Sequence, residues 1–196
     1  MKIGILAIQG DVREHRAKLQ ALHVQAIEVR LPQDLQGIAG LVIPGGESTT
    51  IGMLMQEYGL LEAIKRRTEE SMLPIWGTCA GLSLMASEVI GRSPARLGLL
   101  DITADRNAWG RQVASFEVSL EVAALGERPF PAVFIRAPRI RRLGPGVRAL
   151  ASVGGQVVMA EAGPYLVTAF HPELTDDVRV HEYFLNKVAS FSATAL

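Results

Sequence analysis

The chain has 196 residues, of which 48% are hydrophobic and 20% are charged, a composition typical of a folded protein rather than a disordered one. Its 20 basic and 20 acidic residues balance, so we expect neither nucleic acid nor a membrane surface as a partner. The single cysteine, Cys79, excludes an internal disulfide and fits a reducing compartment. The length is that of one ordinary domain, and we expect a single domain over residues 1–196.

The N-terminal apolar run, residues 2–8, is too short for a signal sequence with its cleavage site. No later apolar segment has the length needed to span a bilayer. We therefore expect a cytoplasmic protein.

In the first half of the chain, short apolar runs alternate with stretches of helical periodicity. The predicted strands are residues 2–8, Ala26–Val29, Gly40–Ile43 and Leu73–Trp76. The predicted helices are Val12–Leu22, with Asp11 as its cap, Ser48–Met55, Leu60–Arg67 and Ala80–Ser87. This alternation is typical of a parallel, doubly wound sheet with right-handed crossovers.

The second half consists mainly of short β-type runs separated by glycine-containing turns. These runs are Leu99–Ala104, Ser115–Val122, Ala132–Ile135, Ala149–Val153, Val157–Ala160 and Tyr165–Ala169. A last helix is predicted over Asp176–Ser190. The expected fold is therefore α/β, a three-layer, mostly parallel doubly wound sheet with helices on both faces and additional antiparallel strands in the second half.

The cysteine lies in the motif Gly77-Thr78-Cys79-Ala80-Gly81, between a predicted strand and a predicted helix. Glycine on both sides permits a sharp turn that exposes the side chain at the carboxyl edge of the sheet. The free N–H groups of the following helix favour a thiolate and a developing oxyanion. This pattern indicates a nucleophile that forms a thioester, in preference to a buried structural cysteine.

A second motif, His171-Pro172-Glu173, directly follows an apolar strand. In an extended segment, residues two apart project to the same side, so both side chains are expected to face Cys79. We predict that His171 takes and returns the proton and that Glu173 fixes the tautomer of its ring. The other histidines lie in or at the end of predicted helices, and we interpret them as solvated or structural: His15, His23 and His181.

A third motif, Pro44-Gly45-Gly46-Glu47-Ser48-Thr49-Thr50, also joins a strand to a helix. The two glycines let a backbone N–H turn inward to an oxyanion, and Ser48 or Thr49 is expected to cap the helix. The motif lacks the Gly-Lys-Ser/Thr ending of a phosphate-binding loop. In an open parallel sheet, this turn and the Cys79 turn lie along the same carboxyl edge, where ligands bind.

With its glycine-flanked cysteine and distant His-x-Glu, the chain resembles the class I, triad-type glutamine amidotransferases. More narrowly, it resembles the glutaminase subunit of pyridoxal 5′-phosphate synthase through nearly its whole length. The narrower resemblance rests on Gln9-Gly10 with Glu14-His15, the Pro44 to Thr50 motif, Arg106-Asn107 with Gly110-Arg111-Gln112, Phe134-Ile135-Arg136-Ala137-Pro138 and Phe170-His171-Pro172-Glu173-Leu174-Thr175.

The resemblance implies hydrolysis of L-glutamine to glutamate and ammonia, with no cofactor and no metal. Cys79 would form the γ-glutamyl thioester, with His171 and Glu173 completing the triad. The oxyanion hole would be the backbone N–H groups of Gly46 and Ala80. The residues implied to bind glutamine are Gly46, Glu47, Ser48, Arg106, Ile135 and Arg136, and arginine suits the substrate carboxylate.

The resemblance also implies a partner, a (β/α)₈-barrel synthase subunit in a large hetero-oligomer. That subunit would use the ammonia to build pyridoxal 5′-phosphate, and the glutaminase would be poorly active until it docks. Gln9-Gly10 and the start of the first helix are candidate contacts for this partner. A cluster of arginines is either part of the same interface or a solvated basic edge: Arg136, Arg139, Arg141 and Arg142.

The residues by themselves leave two other functions open. The same triad would serve a hydrolase with a different acyl substrate, such as a γ-glutamyl hydrolase. A non-catalytic scaffold subunit would have no physical need for Cys79, His171 and Glu173 together, and their presence argues against it.

Overall fold

A computed structural model describes residues 1–91, 95–106 and 115–194 of the chain. The strands in these ranges are β1 (Lys2–Leu6), β2 (Gln25–Val29), β3 (Gly40–Ile43), β4 (Ile75–Thr78), β5 (Ala86–Ile90), β6 (Leu100–Asp105), β7 (Ser115–Leu120), β8 (Phe130–Ile135), β9 (Arg139–Leu143), β10 (Arg148–Val153), β11 (Gln156–Ala162) and β12 (Tyr165–Thr168). The helices are α1 (Val12–Ala21), α2 (Ser48–Glu57), α3 (Leu60–Ser71), α4 (Ala80–Met85) and α5 (Arg179–Thr194).

The main sheet has seven strands in the order β10-β11-β12-β4-β3-β1-β2. The five strands from β12 to β2 pair in parallel, whereas β10 and β11 add antiparallel pairs at one edge. The carboxyl ends of parallel strands meet at one edge of a sheet. The chain segments that follow β1, β3, β4 and β12 therefore converge. The last three carry the three predicted motifs, and the first carries Gln9-Gly10.

The central strand β4 shows how helices cover both faces of this sheet. Successive side chains on a strand point to opposite faces. The ring of Trp76 packs against His15 of α1 and His181 of α5. A Cβ built on the next residue, Gly77, would lie 2.5 Å from the backbone of Gly81 in α4. The expected three-layer, mostly parallel α/β fold is therefore confirmed.

Besides the main sheet there are two smaller sheets, formed mostly by the second half of the chain. Two of their strands, β5 and β9, were not predicted. The first has the order β5-β6-β9 and the second pairs β7 with β8. The helix predicted over Ala80–Ser87 ends at Met85, because Ala86–Ile90 pairs with β6 instead. Strand β9 escaped prediction because three of its five residues are arginines, a composition that indicates a polar loop rather than a strand.

Buried aromatic rings connect the β7–β8 sheet to the segment that carries His171. Phe116 and Phe134 stack with their ring centroids 4.6 Å apart, and Phe134 lies 5.7 Å from Phe170. The backbone N–H of His171 donates to the Val133 carbonyl at 2.8 Å. This packing fixes the start of the His171 motif against β8.

Within the described ranges, no helix is long and apolar enough to cross a membrane.

Candidate active site

Cys79 lies on a strained turn between β4 and α4, with φ of 46° and ψ of −101°. A non-glycine residue at positive φ is held there only when its surroundings require it. A Cβ on Gly81 would collide with the Ile43 carbonyl oxygen, so only glycine permits this close approach. The N–H of Cys79 donates to the Thr168 carbonyl at 2.8 Å, which ties the turn to the neighbouring strand.

His171 and Glu173 are brought together by a short 3₁₀ turn over Pro172–Leu174. The sequence predicted an extended segment here, and that expectation is wrong, because the turn curls the Glu173 side chain back onto the ring. His171 Nδ1 lies 2.7 Å from Glu173 Oε1. Both residues are buried, so the pair is shielded from water.

A cleft of about 440 Å³ opens at this edge of the sheet. The Cys79 thiol lies 3.7 Å from the Ile135 carbonyl oxygen in its wall. Glu173 lies behind His171 and outside the lining. The predicted site residues that line the cleft are Gly46, Glu47, Ser48, Cys79, Ala80, Arg106, Ile135, Arg136 and His171.

Asp11 contributes a second carboxylate that the sequence did not assign to the site. It occupies the N-cap position of α1, but its side chain makes no capping hydrogen bond. Instead, Asp11 Oδ2 lies 3.3 Å from His171 Nδ1. With Glu173 these residues form a group whose potential metal ligands lie within 4.8 Å of one another. A metal at Nδ1 would require that nitrogen to be unprotonated, whereas two adjacent carboxylates favour a proton there.

The environment of His171 favours its charged form. Burial lowers the pKa of the ring, but the nearby Asp11, Cys79 and Glu173 side chains outweigh it and raise the pKa to about 12. His171 Nε2 makes no hydrogen bond of normal geometry to another described residue. That nitrogen is therefore available to exchange a proton with a bound substrate.

The loop before α2 is organised by Glu47 rather than by the residues predicted to cap the helix. Its carboxylate accepts from the N–H groups of Thr49 and Thr50 at 3.0 and 2.7 Å. Glu47 is thus the N-cap, and the expectation of Ser48 or Thr49 is wrong. Burial raises the pKa of Glu47, but these hydrogen bonds outweigh it and lower the pKa to about 2. Arg106 pairs with the same carboxylate at 2.9 Å.

The Gln9-Gly10 motif holds this loop in place. Gln9 Oε1 accepts from the N–H of Glu47 at 2.8 Å. A Cβ on Gly10 would collide with the Gly45 carbonyl oxygen, so glycine is required for the close approach of the two loops. The Gly45 carbonyl also accepts from the N–H of Asp11 at 3.1 Å. The motif therefore positions the backbone around Gly46.

The predicted arginine cluster separates into two groups. Arg136 has a φ of 43° and lines the cleft at the end of β8. On β9, Arg141 pairs with Asp105 at 2.7 Å and Arg142 pairs with Asp101. These exposed pairs join side chains of two strands that already pair through their backbones. Of the segments that carry the resemblance, Asn107 and Gly110-Arg111-Gln112 lie outside the described residues.

Two of the histidines interpreted as solvated or structural are fully buried. His15 and His181 are both 0% exposed, so a solvated role is wrong for them. Each belongs to an amphipathic helix, and the sequence does not show that both face the same strand. His23 is exposed at the turn after α1.

Comparison with known proteins identifies one family along nearly the whole chain. The model of the SNO glutamine amidotransferase family matches residues 5–190. A pyridoxal 5′-phosphate synthase subunit PdxT from Moorella thermoacetica is 56% identical, over 96% of this chain and 100% of the relative. A subunit of the same name from one strain of Thermus thermophilus is 54% identical, over 93% of this chain and 95% of the relative.

Solved structures also match this chain over nearly its whole length. A crystal structure of a glutamine amidotransferase has a TM-score of 0.91 and 49% identity, covering 95% of this chain and 98% of that chain. A putative GMP synthase subunit from Thermoplasma acidophilum has a TM-score of 0.72 at 20% identity, covering 99% of this chain and 96% of that chain, and shares the fold. The chain belongs to the SNO glutamine amidotransferase family.

Proposed function

We propose that this protein hydrolyses L-glutamine to L-glutamate and ammonia through a thioester on Cys79. The Cys79 thiolate attacks the side-chain carbonyl carbon of glutamine, and the C–N bond breaks as His171 donates a proton to the leaving ammonia. Water, deprotonated by His171, then cleaves the C–S bond and releases glutamate. The observation that carries the proposal is a buried His171–Glu173 pair, 2.7 Å apart, whose histidine lines the same cleft as Cys79.

The triad roles follow from the charges around His171. Glu173 and Asp11 face Nδ1 and favour the imidazolium, which stabilises a thiolate partner on the Nε2 side. The strained turn directs the Cys79 side chain into the cleft. We therefore assign Cys79 as nucleophile, His171 as general acid and base, and Glu173 as the group that orients it.

The oxyanion that forms on the substrate carbonyl needs donors in the same cleft. We assign this role to the backbone N–H groups of Gly46 and Ala80. The peptide between Gly45 and Gly46 is held because the Gly45 carbonyl accepts from Asp11. In a planar trans peptide the Gly46 N–H points away from that contact.

The amino-acid end of glutamine requires an acceptor for its ammonium and donors for its carboxylate. The ionised Glu47 and the cleft arginines match these two charges. Arg106 and Glu47 pair with each other, and this pair holds both side chains in position. Bound glutamine would have to compete with the pair for each of the two groups. The assigned glutamine-binding residues are Gly46, Glu47, Ser48, Arg106, Ile135 and Arg136.

We further propose that the ammonia passes to a synthase subunit for pyridoxal 5′-phosphate synthesis. Support comes from relatives at 54–56% identity that are named as subunits of that synthase. The partner would be a (β/α)₈ barrel in a large hetero-oligomer, docked at the sheet edge that carries Gln9-Gly10. The proposal includes one domain over residues 1–196 and a cytoplasmic location, where a catalytic thiol stays reduced.

The test is ammonia release from L-glutamine by the full chain, titrated with its synthase subunit. We expect activity that rises with the partner and disappears in Cys79→Ala. Because Cys79 is the only cysteine, the same variant also loses all thiol labelling, which confirms the substitution. Retained glutaminase activity in Cys79→Ala contradicts the mechanism. Faster hydrolysis of γ-glutamyl peptides than of glutamine contradicts the substrate.

A further inference from the structure

Behind the triad lies a buried cluster of polar rings that the proposed mechanism does not use. His15 of α1 and His181 of α5 are both 0% exposed. Trp76 meets both rings edge to face, with centroids 5.4 Å from His15 and 4.9 Å from His181. Both imidazoles are therefore packed against one buried ring, and His15 lies beside Glu173.

The cluster forms a continuous line to the triad carboxylate. His181 Nε2 lies 3.0 Å from His15 Nδ1. On the other side of its ring, His15 Nε2 lies 3.3 Å from Thr78 Oγ1 and 3.4 Å from Glu173 Oε2. Glu173 Oε2 is buried and accepts no hydrogen bond of normal geometry from another described residue. A small closing movement of His15 would satisfy it.

The position of the single proton on neutral His15 follows from its neighbours. Burial lowers the pKa of His15 to about 4, although the charge of Glu173 opposes this shift. If His15 carried its proton on Nδ1, the bare Nε2 would face the Glu173 carboxylate, and two acceptors would oppose each other. With the proton on Nε2, His15 offers a donor to Glu173, and Nδ1 accepts from His181.

The state of His181 leads to the same assignment. Burial lowers the pKa of His181 to about 3, so this ring is neutral as well. Its Nδ1 is buried without a hydrogen-bond partner in the described part of the chain. A buried N–H donor without a partner is rarer in proteins than a buried acceptor without one. The proton therefore belongs on His181 Nε2, from which it is donated to His15.

We propose that His15 is a positioning residue, whose neutral ring donates from Nε2 to Glu173 Oε2, and that His181 selects this tautomer. The inference rests on the proposed function only in taking Glu173 as the triad carboxylate. With one oxygen facing His171 and the other held by His15, Glu173 is fixed in the orientation that supports the imidazolium. A neutral donor does this without competing for the charge of the carboxylate.

The experiment compares His15→Leu with His15→Gln in the full chain. Leucine removes the donor, whereas the glutamine amide can place an N–H where Nε2 lies. Val188→Ala serves as the matched control, because Val188 is a fully buried residue of α5 beside Gly40, and its truncation weakens the core away from Glu173. Thermal unfolding of each variant ranks the loss of stability.

The main measurement is the rate at which iodoacetamide alkylates Cys79, as a function of pH. In His15→Leu we expect alkylation at pH 7 to slow by about tenfold, the factor typical of losing a hydrogen bond to a charged group, and its midpoint to move to higher pH. His15→Gln should restore most of the rate, and Val188→Ala should match the wild type. In glutamine hydrolysis with the synthase subunit, we expect kcat of His15→Leu to fall and its KM to stay unchanged.

Alkylation in His15→Leu at the wild-type rate overturns the proposal, and so do equal losses in His15→Leu and His15→Gln. If His15→Leu does not fold, ¹⁵N NMR of the wild-type imidazoles decides. Protonation of His15 on Nε2 supports the proposal, and protonation on Nδ1 overturns it. A wild-type protein that releases no ammonia contradicts the proposed function instead, because alkylation requires neither glutamine nor the partner.

Discussion

The two sides of Glu173 hold histidines in opposite charge states. On the cleft side, the pKa of His171 is raised to about 12, and on the buried side the pKa of His15 is lowered to about 4. Burial lowers the pKa of both rings. The difference comes from their partners, because His171 Nδ1 faces two carboxylates at 2.7 and 3.3 Å, whereas His15 faces one carboxylate oxygen at 3.4 Å and another neutral ring.

The difference between the two rings bears on how a carboxylate is accommodated in the interior beside a reacting group. An isolated buried charge is costly, and it must be paired and hydrogen-bonded to persist. One oxygen of Glu173 pairs with a cation, His171, and the other lies beside a neutral ring, His15. A second cation in place of His15 would compete with His171 for the same charge and weaken its hold on the proton.

We expect the largest loss of activity from Glu173→Gln, which removes the carboxylate charge between His171 and His15. The amide cannot stabilise the His171 imidazolium or fix its tautomer, so glutamine hydrolysis should fall on the order of 10³-fold or more. Ammonia release with the synthase subunit measures this. The control is Glu182→Gln at an exposed position of α5, which should keep wild-type activity. A loss of less than tenfold in Glu173→Gln would mean that the carboxylate does not support the ring.

The second prediction concerns stability and pH. His15 and His181 have folded-state pKa values of about 4 and about 3, whereas each ring titrates near 6.5 when the chain unfolds. Below pH 6.5 the unfolded chain binds more protons, so stability is lost as pH falls towards the folded values. The loss is about 1.4 kcal/mol per pH unit for each ring. His171 has the opposite sign: its contribution is complete below pH 6.5 and is lost progressively as pH rises from there towards its folded pKa.

Urea unfolding at pH 7.5 and pH 5 tests this assignment. In His181→Gln the acid-side loss of stability should be smaller than in wild type by about 2 kcal/mol, because one buried titrating ring is gone. The exposed His23→Gln is the control and should keep the wild-type difference. An unchanged difference in His181→Gln would show that the ring is charged or solvated in the folded protein.

The smallest effect is expected on the cleft side, from Asp11→Asn. The Asp11 side chain is 36% exposed and lies 3.3 Å from His171 Nδ1, so solvent weakens its interaction with the ring. Removing its charge should lower the pKa of His171 and slow hydrolysis by no more than about fivefold. An NMR titration of His171 checks the direction. A loss as large as that of Glu173→Gln would make Asp11 an equal partner of the ring.

Several sequence predictions were wrong at positions where a polar side chain can bond to more than one partner. Asp11 was expected to cap α1 and instead faces His171, whereas Glu47 caps α2 in place of Ser48 or Thr49. Both positions are helix starts, and their local sequence is compatible with either outcome. The sequence did not predict strand β9 for a related reason. Its arginines pair with aspartates on another strand, β6, which no local pattern indicates.

Sequence patterns were sufficient to predict the parallel sheet, the turn around Cys79 and the grouping of the three motifs at one edge. These depend on burial periodicity and on glycine sterics, which act over a few residues. Which polar groups meet in the interior depends on how the whole chain packs. His15 and His181 are 166 residues apart, and both are neutral because the burial they share lowers the pKa of each ring. A buried polar side chain takes its partner from whatever the fold packs beside it, so no local pattern specifies that partner.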